Sequence, residues 1–206
     1  MSQTVTYAEL GPAQFRQVIS QFVAVYAAAM NPPERMLAGR ESILERHAAN
    51  PDFRALTASA DGLVVGFTYG FHGVPGQWWH DMVAGALAVM PAPYGSDAPP
   101  GWLADSFEVA ELHVLPQYQG AGIGRALLLR LVSGRRESTA VLSTQDAETR
   151  ARRLYRDLGF TDLLTGFRFS GGEPPYAVMG ARLPLRPAPA GTGTAAPAVS
   201  PRPSNW

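Results

Sequence analysis

Cysteine is missing from this chain, which excludes disulfides, thiolate metal sites and a cysteine nucleophile. Net charge is missing as well, since 17 Lys+Arg residues balance 17 Asp+Glu residues. There is therefore no global basic field to draw in nucleic acid, and no acidic tail. No apolar run reaches the roughly 20 residues needed to span a bilayer. The N-terminal stretch Met1-Ser2-Gln3-Thr4-Val5-Thr6-Tyr7 has neither a basic region nor an apolar core, so no signal peptide is expected. No pair of histidines stands at His-x-x-x-His spacing, so no metal is expected. These absences point to a cytoplasmic protein without membrane or nucleic-acid partners.

What is present is enough sequence for one well-buried α/β domain in 206 residues. Over residues 11–30 the apolar side chains Phe15, Val18, Ile19, Phe22, Val23 and Tyr26 recur at helical spacing. Asn31-Pro32-Pro33 interrupts, and a proline there suits the first turn of a second helix running to about His47. Residues 53–60 and 63–72 read as a hairpin across Asp61-Gly62, a favoured two-residue turn. Residues 74–105 carry Trp78, Trp79, Tyr94 and Trp102 among many Gly and Pro, with a short helix over 77–89. So long a connection reads either as an insertion packed by its own aromatics or as a lid or wall of an acceptor pocket. Further strands are expected over 139–143, 163–169 and 176–183, with a helix over 147–158. From residue 186 the chain is rich in Pro, Ala, Gly and Thr with little to bury. The expected organisation is a single domain over 1–185 and a disordered tail over 186–206.

The most informative stretch runs from Leu112 to Leu129, where a strand enters a glycine-rich turn and then an apolar helix. Gly120, Gly122 and Gly124 let the backbone approach a bound group closely. The helix that follows begins with unpaired N–H groups and the positive end of its dipole. Together these make an anion site, most often for phosphate. Arg125-Ala126 stands where a Walker loop would have Lys-Ser or Lys-Thr. The pattern Gly-x-Gly-x-x-Gly of dinucleotide folds is also absent, because the glycines fall at every second position.

What remains, Gln119-x-x-Gly122-x-Gly124, resembles the acyl-CoA signature of the GNAT N-acetyltransferase superfamily. A second block, Ala151-Arg152-Arg153-Leu154-Tyr155-Arg156-Asp157-Leu158-Gly159-Phe160, is similar to one found downstream in that family. The resemblance implies a mixed, mainly antiparallel central sheet flanked by helices, with a splayed motif strand binding acetyl-CoA as cosubstrate. Backbone groups of Leu112, His113 and Val114 would bond the pantetheine arm. Those of Gln119, Gly120, Ala121, Gly122, Ile123, Gly124 and Arg125 would hold the pyrophosphate. Arg125 adds charge to a phosphate or is a solvated residue in the first helical turn. Arg150, Arg152 and Arg153 reach the 3′-phosphate or form the wet face of a helix. Tyr155 stands where the family has its general acid, a phenol able to protonate a departing thiolate. One departure is Glu148, at a position where the family often has Asn.

The base is open between several groups. Strand alternation puts Glu111 and His113 on one face and Leu112 and Val114 on the other. Glu108 has the opposite parity to Glu111 unless a bulge intervenes. Glu111 is preferred because family bases often sit on this strand. His113 is attractive by its ordinary pKa, while His72 and His80 border the insertion. The expected activity is acetyl transfer to the primary amine of a small molecule. A protein N-terminus or lysine is the nearest rival, and a non-catalytic CoA-binding domain is the other. Members of the family often form homodimers, but no feature of this sequence fixes an assembly.

Overall fold

The computed structural model describes residues 4–89, 101–169 and 174–185. Tyr94 and the tail over 186–206 lie outside the described residues. Seven strands form one sheet: β1 (Val5–Leu10), β2 (Arg54–Ala60), β3 (Leu63–Gly73), β4 (Ser106–Val114), β5 (Thr139–Gln145), β6 (Thr161–Phe167) and β7 (Tyr176–Arg182). Their spatial order is β1-β2-β3-β4-β5-β7-β6. Every neighbouring pair is antiparallel except β4 and β5. The architecture is thus the mixed, mainly antiparallel sheet flanked by helices that the sequence implied.

The expected first helix is two, α1 (Pro12–Gln17) and α2 (Ile19–Met30), because Val18 leaves helical geometry between them. The expected second helix starts late. Glu34–Met36 is a 3₁₀ turn, Gly39 takes a left-handed φ of 76°, and α3 (Arg40–His47) follows. Phe15, Ile19, Phe22, Val25 and Tyr26 are buried against Phe67, Tyr69 and Phe71 of β3. Helix α4 (Trp78–Val89) covers the same face further along, packing Val83 on Val141, Leu163 and Val178. The other face carries α5 (Ile123–Val132) and α6 (Arg150–Asp157). On α5 the buried residues Ile123, Leu127, Leu128, Leu131 and Val132 recur at spacings of three and four, the stripe that seats a helix on a sheet. Each such side chain contributes roughly 1.5–3 kcal/mol on burial.

Turn chemistry fixes the β2–β3 hairpin. Asp61 (φ 51°) and Gly62 (φ 80°) both take positive φ, as a type I′ turn requires. A bulge then decides the geometry of β4. Tyr69 pairs with Glu111 but Gly70 pairs with Val109, which leaves Ala110 as the extra residue. Gly70 is required opposite the bulge. A Cβ there would lie 2.3 Å from the Glu108 carbonyl oxygen and 2.6 Å from the Phe107 ring.

Strands β4 and β5 pair only from Ser106 to Glu108 on the β4 side. Past Glu108 they diverge, and the edge of β4 turned away from β3 has no strand partner among the described residues. The parallel pair is thus a wedge with Glu108 at its apex.

Candidate active site

The chain passes from β4 through a 3₁₀ turn (Pro116–Tyr118) into the glycine loop. The Gln119 side-chain amide donates to the Val114 carbonyl at 3.0 Å, bracing the loop against the end of the strand. Gly120 (φ 83°) and Gly122 (φ 82°) are both left-handed, and the space where a Cβ would stand is open at each. Gly122 is the N-cap of α5, whose first intrahelical bond runs from Ala126 N–H to the Gly122 carbonyl. The N–H groups of Ile123, Gly124 and Arg125 precede that bond and lack intrahelical acceptors. Gly124 serves packing as well, since its Cβ position lies 3.6 Å from Leu154 of α6. Arg125 reaches Asp157 at 3.0 Å. Both residues are exposed, so this pair is weak and exchangeable.

The bulge at Ala110 resets the strand's parity. Because Tyr69 and Phe71 share a face of β3, their partners Glu111 and Glu108 share a face of β4. Alternation alone placed these carboxylates on opposite faces, and the extra residue overturns that. The two differ sharply in surroundings. One oxygen of Glu111 takes an ion pair from Arg40 of α3, and the other a hydrogen bond from His113 Nε2. Burial works to raise its pKa, but His113, Arg40 and His47 together hold it below the usual value. Arg40 also lies 3.9 Å over the Tyr26 ring, and His47 Nδ1 meets the Tyr69 hydroxyl at 3.0 Å. Glu111 is thus fully engaged in a network that ties α3 to β4.

Glu108 is 5% exposed, and its Oε2 has no hydrogen-bond partner among the described residues. Burial, then the nearby Glu111 charge, pushes its pKa up to about 8. A buried polar atom without a partner calls for an explanation. Sequence spacing could not single out Glu108, because its orientation depends on a bulge; the adjacent Gly70 was the one available signal.

Tyr155 lies on the opposite face, buried on α6 with its ring 5.9 Å from Phe160. Burial, then the Glu111 charge, pushes its phenol well above the ordinary tyrosine value, so the hydroxyl keeps its proton. Thr149 caps α6, its Oγ1 accepting from Arg152 N–H at 3.1 Å. Arg152 is neither a phosphate ligand nor part of a wet face. It is buried, and its guanidinium bonds Asp146 and Asp162. Arg153 donates to the Glu148 carbonyl, and Glu148 pairs with Arg156.

The insertion's aromatics divide. Trp102 packs over Gly180 and under Arg182, as part of the β7 surface. Trp79 donates its indole N–H to Ser143 Oγ at 3.2 Å, on the portion of β5 that diverges from β4. Trp78 is 60% exposed and lies tilted against Phe169, with centroids 5.3 Å apart. His72 sits at the opposite end of β4, paired with Phe107, and its ring meets Glu137 at 3.3 Å. It is therefore remote from the open end of the wedge. Asp52, His72 and Glu137 bring ligating atoms within 4.8 Å of one another. Arg135, however, bonds both oxygens of Glu137, which makes the cluster an ion-pair network. No helix among the described residues is long and apolar enough to cross a membrane.

A family model described as the acetyltransferase (GNAT) domain matches residues 51–162. A GCN5-like protein acetyltransferase of Mycobacterium tuberculosis is 33% identical over 202 residues, covering 86% of this chain and 97% of that protein. Among solved structures, the ribosomal-protein-S18-alanine N-acetyltransferase of Escherichia coli superposes with a TM-score of 0.57 at 17% identity, over 92% of this chain and 98% of that one. The yncA protein of Salmonella typhimurium, solved with its cofactor acetyl-CoA, gives 0.54 at 20% identity, over 92% and 98%. At such identities the structural likeness is one of fold.

Proposed function

The chain belongs to the GNAT acetyltransferase family, and from that premise we propose that it moves an acetyl group from acetyl-CoA to a primary amine by direct attack in a ternary complex. The observation that carries this reading is the β4–β5 wedge, with the glycine loop beyond the end of β4, Glu108 at its apex on one face and Tyr155 on the other. The residues present fit a CoA thioester. The Cβ positions at Gly120 and Gly122 open onto free space, and β4 has an unpaired edge able to bond an extended chain.

Acetyl-CoA supplies the activated acetyl group and a thiol that leaves. Backbone N–H groups of residues 119–125 hold the pyrophosphate at the positive end of α5. Arg125 exchanges Asp157 for phosphate, and Leu112, His113 and Val114 hold the pantetheine arm through their backbone. A backbone N–H on this edge would be available to stabilise charge developing on the thioester oxygen. Glu108 replaces Glu111 as the proposed proton acceptor for the amine. Its value of about 8 lies near the operating pH, where a general base is most effective. Tyr155 returns a proton to the thiolate. Glu111 orders the acceptor side through Arg40 and His113.

The proposed acceptor is a small-molecule amine entering beneath Trp79 and α4. A protein amine is the second reading, favoured by the name of the Mycobacterium tuberculosis relative. The test is release of free thiol from acetyl-CoA with spermidine, tyramine, and peptides bearing an N-terminal alanine or an internal lysine. The chain contains no lysine, so its own side-chain amines add no background. Amine-dependent release supports the reading. Binding of acetyl-CoA without release on any amine would favour a CoA-binding domain instead.

A further inference from the structure

Acetylating an ammonium ion yields an amide, a thiol and one surplus proton. Nitrogen gives up two protons in all: one resets Tyr155 after it protonates the thiolate, and the other leaves through the base. Glu108 is 5% exposed, so that proton needs a way out.

A way out lies two residues back on the same strand. Ser106 and Glu108 share a face of β4. Ser106 is 1% exposed, and its Oγ, like Glu108 Oε2, has no hydrogen-bond partner among the described residues. Two buried oxygens without partners among the described residues, two positions apart on one strand face, mark a site for bridging water. Ser106 Oγ lies 2.7 Å from the Cβ position of Gly73, and the His80 ring lies 3.7 Å from the same point. A side chain at position 73 would crowd both the hydroxyl and the imidazole. His80 is itself nearly buried, with Nδ1 3.2 Å from Asp81 Oδ1. It lines an open cavity of about 320 Å³ with His72, Gly73, Val74, Pro75, Leu103 and Ala104. Asp81 is turned toward the Gly76 N–H and stays ionised, held below its usual value by that bond and by His80.

We propose that Ser106 and His80 form a proton-exit route from Glu108 to the cavity at the start of α4. The inference rests on Glu108 being the base. The Glu108 carboxyl gives its proton, through water where needed, to Ser106 Oγ as the Ser106 hydroxyl proton passes to His80 Nε2. His80 then releases a proton to solvent, and Glu108 is again a carboxylate. No other group changes charge. The residues facing this path are Tyr69 and His47 on the α3 side, Glu111 beyond the bulge, and Asp81 and His72 at the mouth.

The experiment measures kcat against imidazole concentration at constant ionic strength, for Ser106→Ala and His80→Gln. The acceptor is whichever amine of the panel above is turned over. Each variant is expected to lose part of the roughly 10²- to 10⁴-fold that a positioned proton acceptor contributes, with the KM for acetyl-CoA unchanged. Imidazole is expected to restore the His80→Gln rate, which a merely structural role would not predict. Rates within twofold of the parent, or losses indifferent to imidazole in both variants, overturn the route. Glu108→Gln separates the two ideas. If it keeps full turnover, the base assignment falls. If it loses turnover while Ser106→Ala and His80→Gln do not, the base stands and the route falls. A crystal structure resolving ordered water tests the route without any acceptor. Water joining Glu108 Oε2, Ser106 Oγ and His80 is expected, and a dry contact there contradicts the proposal.

Discussion

Replacing Gly122 with valine separates what the loop does for the fold from what it does for the donor. The backbone there is left-handed, at φ 82°, and the Cβ position meets nothing within 4 Å. Strain in the folded state is therefore the conformational one alone, about 1–2 kcal/mol for an L-residue in this region. At roughly 2–4 °C per kcal/mol for a chain of this size, Tm falls by about 2–8 °C and the protein stays folded. The valine side chain, however, occupies the mouth of the helix N-terminus. Losing two hydrogen bonds to a charged pyrophosphate at about 1.5–3 kcal/mol each weakens acetyl-CoA binding by roughly 10²- to 10⁴-fold. Gly134→Val is the matched control. Gly134 is also left-handed, at φ 71°, also meets nothing within 4 Å, and lies past the other end of α5. Calorimetric titration of both variants with acetyl-CoA, beside their melting curves, is the assay. Comparable destabilisation with binding lost only in Gly122→Val is the expected pattern. Equal affinity in the two variants would refute the assignment of the loop.

Three further outcomes are expected. Tyr155→Phe lowers kcat by roughly 10²-fold or more and leaves acetyl-CoA affinity nearly unchanged in the same titration; unchanged turnover at every pH removes the acid role. Arg152→Ala leaves Asp146 and the buried Asp162 without their main cation and costs about 3–5 kcal/mol, read by urea denaturation. The Gly166 N–H and Arg152 hold Asp146 below its ordinary pKa. Its contribution is therefore present at neutral pH and lost as pH falls through the native value, and the gap between parent and variant should narrow in acid. Gly70→Ala forces a Cβ against the Glu108 carbonyl and the Phe107 ring. It should cost about 1–3 kcal/mol and lower kcat more than acetyl-CoA affinity, because it displaces the bulge that aims Glu108.

The glycine loop was legible because its signals are local. Gln119, Gly122 and Gly124 are contiguous with the helix they cap, and left-handed φ at Gly120 and Gly122 is what a glycine there anticipates. The same holds for Asp61-Gly62, whose turn type follows from two residues. The placement of the two carboxylates was not legible, because it depends on pairing between distant segments. Whether Glu108 and Glu111 share a face is decided by a register jump against β3, and no periodicity within β4 reveals it. Arg152 reads as one more cation on a polar helix. Its burial depends on Asp146 and Asp162, supplied by the ends of two other elements. Glu111 was singled out for its position on the strand, yet its capacity is taken up by Arg40, 71 residues earlier in the chain.

If the wedge and the glycine loop form an acetyl-CoA site, the intact protein binds that thioester on its own or with an amine present. Calorimetric titration of the intact protein with acetyl-CoA, with dephospho-CoA and NAD as controls, tests it most directly. One-to-one binding at micromolar affinity, weaker for dephospho-CoA and absent for NAD, is the predicted result. Failure to bind acetyl-CoA, both alone and with each amine of the panel present, would contradict it and leave the loop as a strand-to-helix turn.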